Sequence, residues 1–159
     1  MLSIALTVAM MIDAATSIDV GSRSAPVLSA PTVGTSEKVS EMKIRLRIGA
    51  TSLTATLQGS KASREFASML PLALTMKDLF RREKYGQLPG PISGAGRRAH
   101  AYEVGQIAYW APGPDVAIYY RQDGEPIPNP GVIILGTIDS GVEAFDVPGA
   151  TKVTIERVK

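Results

Sequence analysis

Beyond a leading segment, the chain is dominated by short stretches in which polar and apolar residues alternate. The first stretch reads KIRLRI over residues 43–48, and the alternation resumes at Leu53, Ala55 and Leu57 after a possible turn at Gly49. Successive side chains of a β-strand point to opposite faces, so a strand with one buried face shows this period of two. The two stretches therefore predict a β-hairpin.

A helix is predicted directly after this hairpin. Ser60 is a favourable N-cap residue, and apolar residues recur at helical spacing between residues 62 and 70. Pro71 then stops the helix because proline lacks the backbone N–H that a helix interior requires.

Further strands are predicted after the helix, separated by segments rich in Pro and Gly, and residues 140–145 resemble a short helical segment. The predicted strands span residues 71–79, 83–88, 106–111, 116–121, 132–138 and 152–158. Many short strands with one or two helices predict a mainly β fold, an eight-stranded β-barrel with one or two capping helices. Closing the barrel would leave no unpaired edge strand. A two-sheet sandwich is the alternative that the pattern allows.

The leading segment has a different composition. An apolar run at residues 2–12 is too short to cross a bilayer about 30 Å thick, so no stable membrane span is expected. Its length and the small residues after it predict a signal peptide at 1–17 and a periplasmic or secreted protein, although no basic residue precedes the run. A buried N-terminal helix is the alternative. Residues 18–41 predict a flexible linker, and residues 42–159 predict the folded domain.

Composition narrows the possible chemistry. The chain has no cysteine and a single histidine, which excludes disulfides, thiolate catalysis and any site that needs several histidines. The formal net charge is only +2 and the basic residues are scattered, so no nucleic-acid partner is expected. Neither a calcium loop nor a dinucleotide-binding loop is present, and no cofactor or metal is predicted.

Several segments together resemble cyclophilins. VIILGTIDSGVEAF at residues 132–145, followed by a strand at 151–157, resembles their C-terminal end. MLPLALTMKD at 69–78, EKYGQLP at 83–89 and VGQIAY at 104–109 resemble small bacterial cyclophilin-like proteins. The resemblance covers about residues 42–159 and implies an eight-stranded barrel capped by helices. It does not carry over catalytic residues, because the aromatic-His-Arg segment of active prolyl isomerases is missing.

Six residues are candidates for a binding groove: Tyr85, Tyr109, Trp110, Tyr119, Tyr120 and Arg121. The aromatic side chains could form an apolar wall, and Arg121 could donate to a prolyl nitrogen. Adjacent aromatic residues on one strand must face opposite ways, so at most one of each pair lies in any one groove. The expected function is a module that binds a peptide or small molecule with little or no prolyl isomerase activity. The alternative is a prolyl isomerase with a rearranged groove.

Overall fold

The computed structural model describes residues 41–159. The predicted signal peptide at 1–17 and residues 18–40 of the predicted linker lie outside the described residues. Within the described part, no helix is both long and apolar enough to span a bilayer.

Eight strands form one closed antiparallel barrel, in the order β1-β2-β7-β5-β6-β4-β3-β8. Closure confirms the predicted barrel and excludes the sandwich. The strands are β1 Met42–Ile48, β2 Thr51–Leu57, β3 Leu72–Leu79, β4 Glu83–Gln87, β5 Gln106–Trp110, β6 Asp115–Tyr119, β7 Ile133–Ile138 and β8 Thr151–Arg157.

The helix α1, Lys61–Ser68, packs against the barrel. Ser60 caps it as expected, since its hydroxyl accepts a hydrogen bond from the backbone N–H of Ser63 at 3.1 Å. The buried Ser63 hydroxyl in turn donates to the Leu135 carbonyl at 2.8 Å, and Phe66 is fully buried in the core. The second predicted helix is a single 3₁₀ turn, Val142–Phe145, so the described residues contain one α-helix.

The buried side chains form two apolar clusters on opposite faces of the barrel wall. The larger cluster fills the barrel interior with residues from every strand except β4. The smaller one, which we call the outer cluster, lies on the outer face of β5 and β6, beneath the loops that precede β5 and follow β6. Its buried members are Tyr102, Ala108, Ala117, Tyr119, Ile127 and Val132.

Candidate functional site

Strand alternation divides the predicted aromatic residues between the two faces of the barrel wall. Tyr109 and Tyr120 belong to the interior cluster, and the Tyr109 hydroxyl accepts a hydrogen bond from the backbone N–H of Ile92 at 3.2 Å. Trp110, Tyr119 and Tyr85 instead pack with the outer cluster. The structure therefore brings three of the candidates together on the outer face and places two inside the core.

Arg121 lies apart from these outer aromatic residues. Its guanidinium forms an ion pair with Asp146 at 2.5 Å, and its side chain is 45% exposed. The sequence predicts Arg121 as the donor to a prolyl nitrogen. In the structure this side chain is held by the loop that precedes β8 and does not line the pocket described next.

A pocket of about 250 Å³ opens on the outer face of β4, β5 and β6. Its walls come from residues that face each other across the strand ladders: Tyr85 opposite Ala117, Glu83 opposite Tyr119, and Trp110 opposite Asp115. We call it the outer pocket. It is lined by Leu79, Glu83, Tyr85, Trp110, Asp115, Ala117, Tyr119 and Val132.

Tyr119 is fixed in place by contacts behind the pocket. Its ring stacks on that of Tyr102, with the centroids 4.1 Å apart and the planes 18° from parallel. The Tyr102 hydroxyl donates to the Asp123 carboxylate at 2.8 Å, which ties the stack to the loop after β6. Because both aromatic rings are buried and held by neighbours, this wall of the pocket is formed in the absence of a ligand.

Gly113 leaves room for the other end of the pocket. A Cβ atom at this position would lie 2.2 Å from a carboxylate oxygen of Asp115 and 3.4 Å from the Trp110 ring. The first distance is far shorter than van der Waals contact and the second is an ordinary contact, so a larger residue would push the Asp115 carboxylate away and leave the Trp110 ring in place. The glycine thus allows Asp115 and Trp110 to stand together at the pocket wall.

Glu83 is a buried carboxyl group beside an incompletely bonded cation. Its side chain is 7% exposed, and its nearest cationic atom is Nε of Arg82 at 3.7 Å. This Nε has no hydrogen-bond partner within residues 41–159, whereas Nη1 of the same side chain donates to Asp123. Burial raises the pKa of Glu83, and interactions with Tyr119 and Arg82 only partly oppose that shift.

Asp115 is the second carboxyl group of the outer pocket. Burial also raises its pKa, and the charge of the exposed Lys77 on β3 opposes the change. In the described part of the chain no three side chains of the His, Asp and Glu types gather as metal ligands. The outer pocket is therefore an aromatic cavity that carries two carboxyl groups.

The turn that leads into β4 has an unusual backbone. Phe80 and Arg81 have φ angles of 53° and 55°, in the left-handed region that bulky residues rarely occupy. Phe80 is 71% exposed, and its ring lies 5.3 Å from the guanidinium of Arg82. An exposed aromatic residue on a strained turn, one residue from Leu79 of the pocket wall, is a feature that often accompanies binding sites.

A larger cavity of about 650 Å³ lies beside the loop at residues 95–101. Its lining contains no aromatic ring of Phe, Tyr or Trp, and the charged Arg97 is exposed. Arg98 is bonded to the backbone carbonyls of Gly94 and Gly131 at 2.9 and 3.4 Å. Size alone does not identify a binding site, and this cavity lacks the convergent buried polar groups that the outer pocket has.

Sequence reasoning did not select Glu83 or Asp115. The signal was present, because Glu83 lies two residues from Tyr85, and Asp115 lies four residues from Tyr119. On a strand these spacings put each carboxyl group on the same face as the tyrosine. The pairing of β4 with β6, which brings the two faces together, is a property of the topology and has no local signal.

Comparison with known proteins identifies the family. The model of the cyclophilin-like family matches residues 46–156. The chain belongs to the cyclophilin-like family. A comparison with curated protein sequences finds no match to this cyclophilin-like chain.

A solved structure supports the same fold. The cyclophilin-like chain is similar to the solution structure of a hypothetical protein from Archaeoglobus fulgidus, with 22% sequence identity and a TM-score of 0.63. The match covers 77% of this chain and 99% of the archaeal protein. At this level of identity the similarity concerns the fold alone.

Proposed function

We propose that this cyclophilin-like domain is a binding module that holds a peptide or small molecule in the outer pocket, with little or no prolyl isomerase activity. The observation that carries the proposal is the preformed cavity with walls of Tyr85, Trp110 and Tyr119 and two carboxyl groups. Ligand sites typically combine apolar and aromatic walls with a few placed polar groups.

The positions of the arginines support the second part of the proposal. Prolyl isomerisation has a barrier of about 18–20 kcal/mol, and lowering it requires a donor held beside an apolar pocket. Arg121 is paired with Asp146 and does not line the pocket. Arg82 is closer, but its side chain is 6% exposed and is held by Asp123.

The alternative, an isomerase with a rearranged groove, is favoured by one observation. Arg82 lies beside the exposed ring of Phe80, so an arginine and an accessible aromatic residue do occur together. A cis-to-trans assay on a blocked Ala-Ala-Pro-Phe peptide tests this alternative directly. Strong acceleration that disappears in Arg82→Ala or Arg121→Ala would overturn the binding-only proposal and identify the donor.

Binding can be followed through Trp110, which is the only tryptophan of the chain and lines the outer pocket. The proposed test titrates the protein with n-butylammonium, n-butanol, butyrate and short blocked peptides while tryptophan fluorescence is recorded. We expect at least one of these probes to give a saturable change. Ala117→Leu fills the buried floor of the pocket and should abolish the fluorescence change. Ala73→Leu, at an exposed position of β3, is the matched control and should leave the change intact.

Two results would contradict the binding proposal. One is a saturable fluorescence change that persists in the folded Ala117→Leu variant. The other is the absence of any response from all of these probes.

We further propose that the protein is exported from a bacterial cell, as the apolar run at residues 2–12 suggests. Mass spectrometry of the native protein should find a new N-terminus between about residues 14 and 19. Intact Met1 on cytoplasmic protein would overturn the export proposal without affecting the binding proposal.

A further inference from the structure

We propose that the ligand of the outer pocket carries a positive charge, an aliphatic ammonium or guanidinium group held by Glu83 and Asp115 against the aromatic walls. The inference rests on the proposed binding function and adds the chemical class of the ligand. Both a free amine and the basic side chain of a peptide offer this chemistry.

The buried carboxylate of Glu83 leaves several of its acceptor positions open. An ionised carboxylate has about four acceptor positions on its two oxygens. Glu83 faces the hydroxyl of Tyr119, which can supply one donor. Its other neighbour, Arg82, lies at 3.7 Å, beyond the range of a hydrogen bond. Acceptor capacity therefore remains on a side chain that is more than nine-tenths buried.

The lining of the outer pocket carries acidic side chains and no basic ones. Glu83 and Asp115 are the only acidic residues among the lining residues, and no Lys or Arg lines the cavity. The domain's own nearest cations stay outside: Lys77 is exposed on β3, and Arg82 is turned toward Asp123. An incoming cation would be attracted by both carboxylates in a site where water screens charges weakly.

The aromatic side chains of the outer pocket also favour a cation. Trp and Tyr rings attract cations through the negative potential of their faces, and desolvated cation–π contacts are among the stronger ones. Trp110, Tyr85 and Tyr119 line the same cavity as the carboxylates. A carboxyl group alone would accept any hydrogen-bond donor, whereas carboxyl groups together with aromatic faces select a donor with positive charge and apolar methylenes.

The size of the cavity limits the group that enters it. A volume of about 250 Å³ corresponds to about eight water molecules at about 30 Å³ each. That space fits a butyl or pentyl chain with its nitrogen, which is the size of a lysine side chain, and excludes a folded protein element.

The experiment compares matched probes by Trp110 fluorescence at constant ionic strength: n-butylammonium, n-butanol and butyrate. We expect n-butylammonium to bind at least about tenfold more tightly than n-butanol or butyrate. This factor corresponds to a difference of about 1.4 kcal/mol in binding free energy. Equal binding of n-butanol, or tighter binding of butyrate, would overturn the cation proposal and leave the binding function standing. If no probe of any charge binds, the proposed function fails as well.

Variants test which groups hold the cation. Glu83→Gln and Asp115→Asn should each weaken n-butylammonium binding, Glu83→Gln by about tenfold or more. Gly113→Ala keeps both charges and displaces the Asp115 carboxylate, so it should weaken binding as well. The control Glu143→Gln removes an exposed charge outside the pocket and should have no effect.

Two outcomes of the variant series would overturn the assignment. Unchanged affinity in folded Glu83→Gln and Asp115→Asn is one, and an equal loss in Glu143→Gln is the other. Melting temperatures of all variants separate lost binding from lost folding.

Peptide probes separate the two sources of the cation. Blocked Gly-Lys-Gly and Gly-norleucine-Gly peptides differ only in the ammonium group. Preference for the lysine peptide over both its norleucine analogue and free n-butylammonium identifies a basic peptide side chain. Tighter binding of the free amine identifies a small-molecule amine.

Discussion

Two groups of charged residues lie on opposite faces of β4, and they differ in how completely their hydrogen bonds are satisfied. The inner group, inside one end of the barrel, contains Lys84, Asp78 and Tyr120. The outer group contains Glu83 and Arg82 beside the outer pocket. Lys84 and Glu83 are neighbours in the sequence, so strand alternation alone sends one inward and the other outward.

In the inner group every donor of the central lysine has a hydrogen-bond partner, and we call such a group closed. Lys84 is fully buried, and its ammonium donates to the carboxylate of Asp78 at 2.7 Å and to the backbone carbonyls of Val147 and Gly149. An ammonium has three protons, so all its donors are used. Tyr120 donates to the same oxygen of Asp78 at 2.7 Å. No capacity remains for a ligand, and the group joins β3 and β4 to the loop before β8.

The outer group is open. Arg82 keeps an unbonded Nε, and the Glu83 carboxylate faces a cavity with its nearest cationic atom 3.7 Å away. An unbonded buried donor such as Arg82 Nε costs free energy, typically about 1–3 kcal/mol. A cationic ligand would pair with the open acceptor positions of Glu83 and not with Arg82 Nε, which is itself a donor. The degree to which hydrogen bonds are satisfied, more than burial or charge, therefore separates structural ion pairs from candidate binding groups.

The largest expected effect comes from breaking the inner group. Lys84→Met should lower the free energy of unfolding by about 3 kcal/mol, because it leaves Asp78 and two backbone carbonyls without their donor. Urea denaturation monitored by circular dichroism measures this. Lys77→Met is the matched control, an exposed lysine on β3, and should change stability by less than about 0.5 kcal/mol. Equal losses in the two variants would show that the closed inner group has no special role in stability.

Much of the fold follows from local sequence signals. Period-two stretches, together with the Pro- and Gly-rich segments between strands, predict all eight strands to within about two residues. Closure itself, the pairing of β4 with β6, and the outer cluster depend on contacts between distant residues, for which a single sequence has no local pattern. The predicted helix at residues 140–145 is only a 3₁₀ turn, begun at Gly141 with a φ of 81°.

The candidate site was predictable in its aromatic residues and not in its charges. Alternation correctly separated Tyr109 from Trp110, and Tyr119 from Tyr120, although it could not say which of each pair faces the interior. Glu83 has the sequence context of an ordinary polar residue on a half-buried strand, and nothing local predicts that it is buried beside Arg82.

The two groups should respond to pH in opposite directions. Burial raises the pKa of Glu83 above its ordinary value of 4.5, so its contribution to stability is present below that pH and is lost as the pH rises through the folded-state pKa. For Asp78 burial is outweighed by hydrogen bonds from Lys84 and Tyr120, which lower its pKa below the ordinary 3.8. Its contribution is therefore present above pH 3.8 and is lost as the pH falls through the folded-state pKa.

Urea denaturation between pH 3 and pH 7 tests these signs, with Glu83→Gln and Asp78→Asn compared with the wild type. A pKa change of one unit corresponds to about 1.4 kcal/mol. The difference between wild type and Glu83→Gln should fall as the pH rises above 4.5, and the difference for Asp78→Asn should shrink only below 3.8. If the stability difference from wild type changed with pH in the same direction for both variants, the two groups would not differ in their response to pH.

The smallest expected effect compares two tyrosine hydroxyls, one on each face. Tyr109→Phe removes the acceptor of the buried Ile92 N–H and should cost about 1 kcal/mol of stability. Tyr85→Phe removes a hydroxyl at the outer pocket for which no hydrogen bond is found within residues 41–159, and should cost less than about 0.5 kcal/mol.

Ligand binding should show the reverse order. Tyr109 faces the interior, so Tyr109→Phe should leave n-butylammonium affinity unchanged, whereas Tyr85→Ala removes an aromatic wall and should weaken it by about twofold to fivefold, the range of an exposed cation–π contact. Urea denaturation and Trp110 fluorescence titration on the same samples measure both quantities. If Tyr109→Phe weakened n-butylammonium binding without lowering the free energy of unfolding, ligand binding would depend on the interior of the barrel. That result would contradict the assignment of binding to the outer face alone.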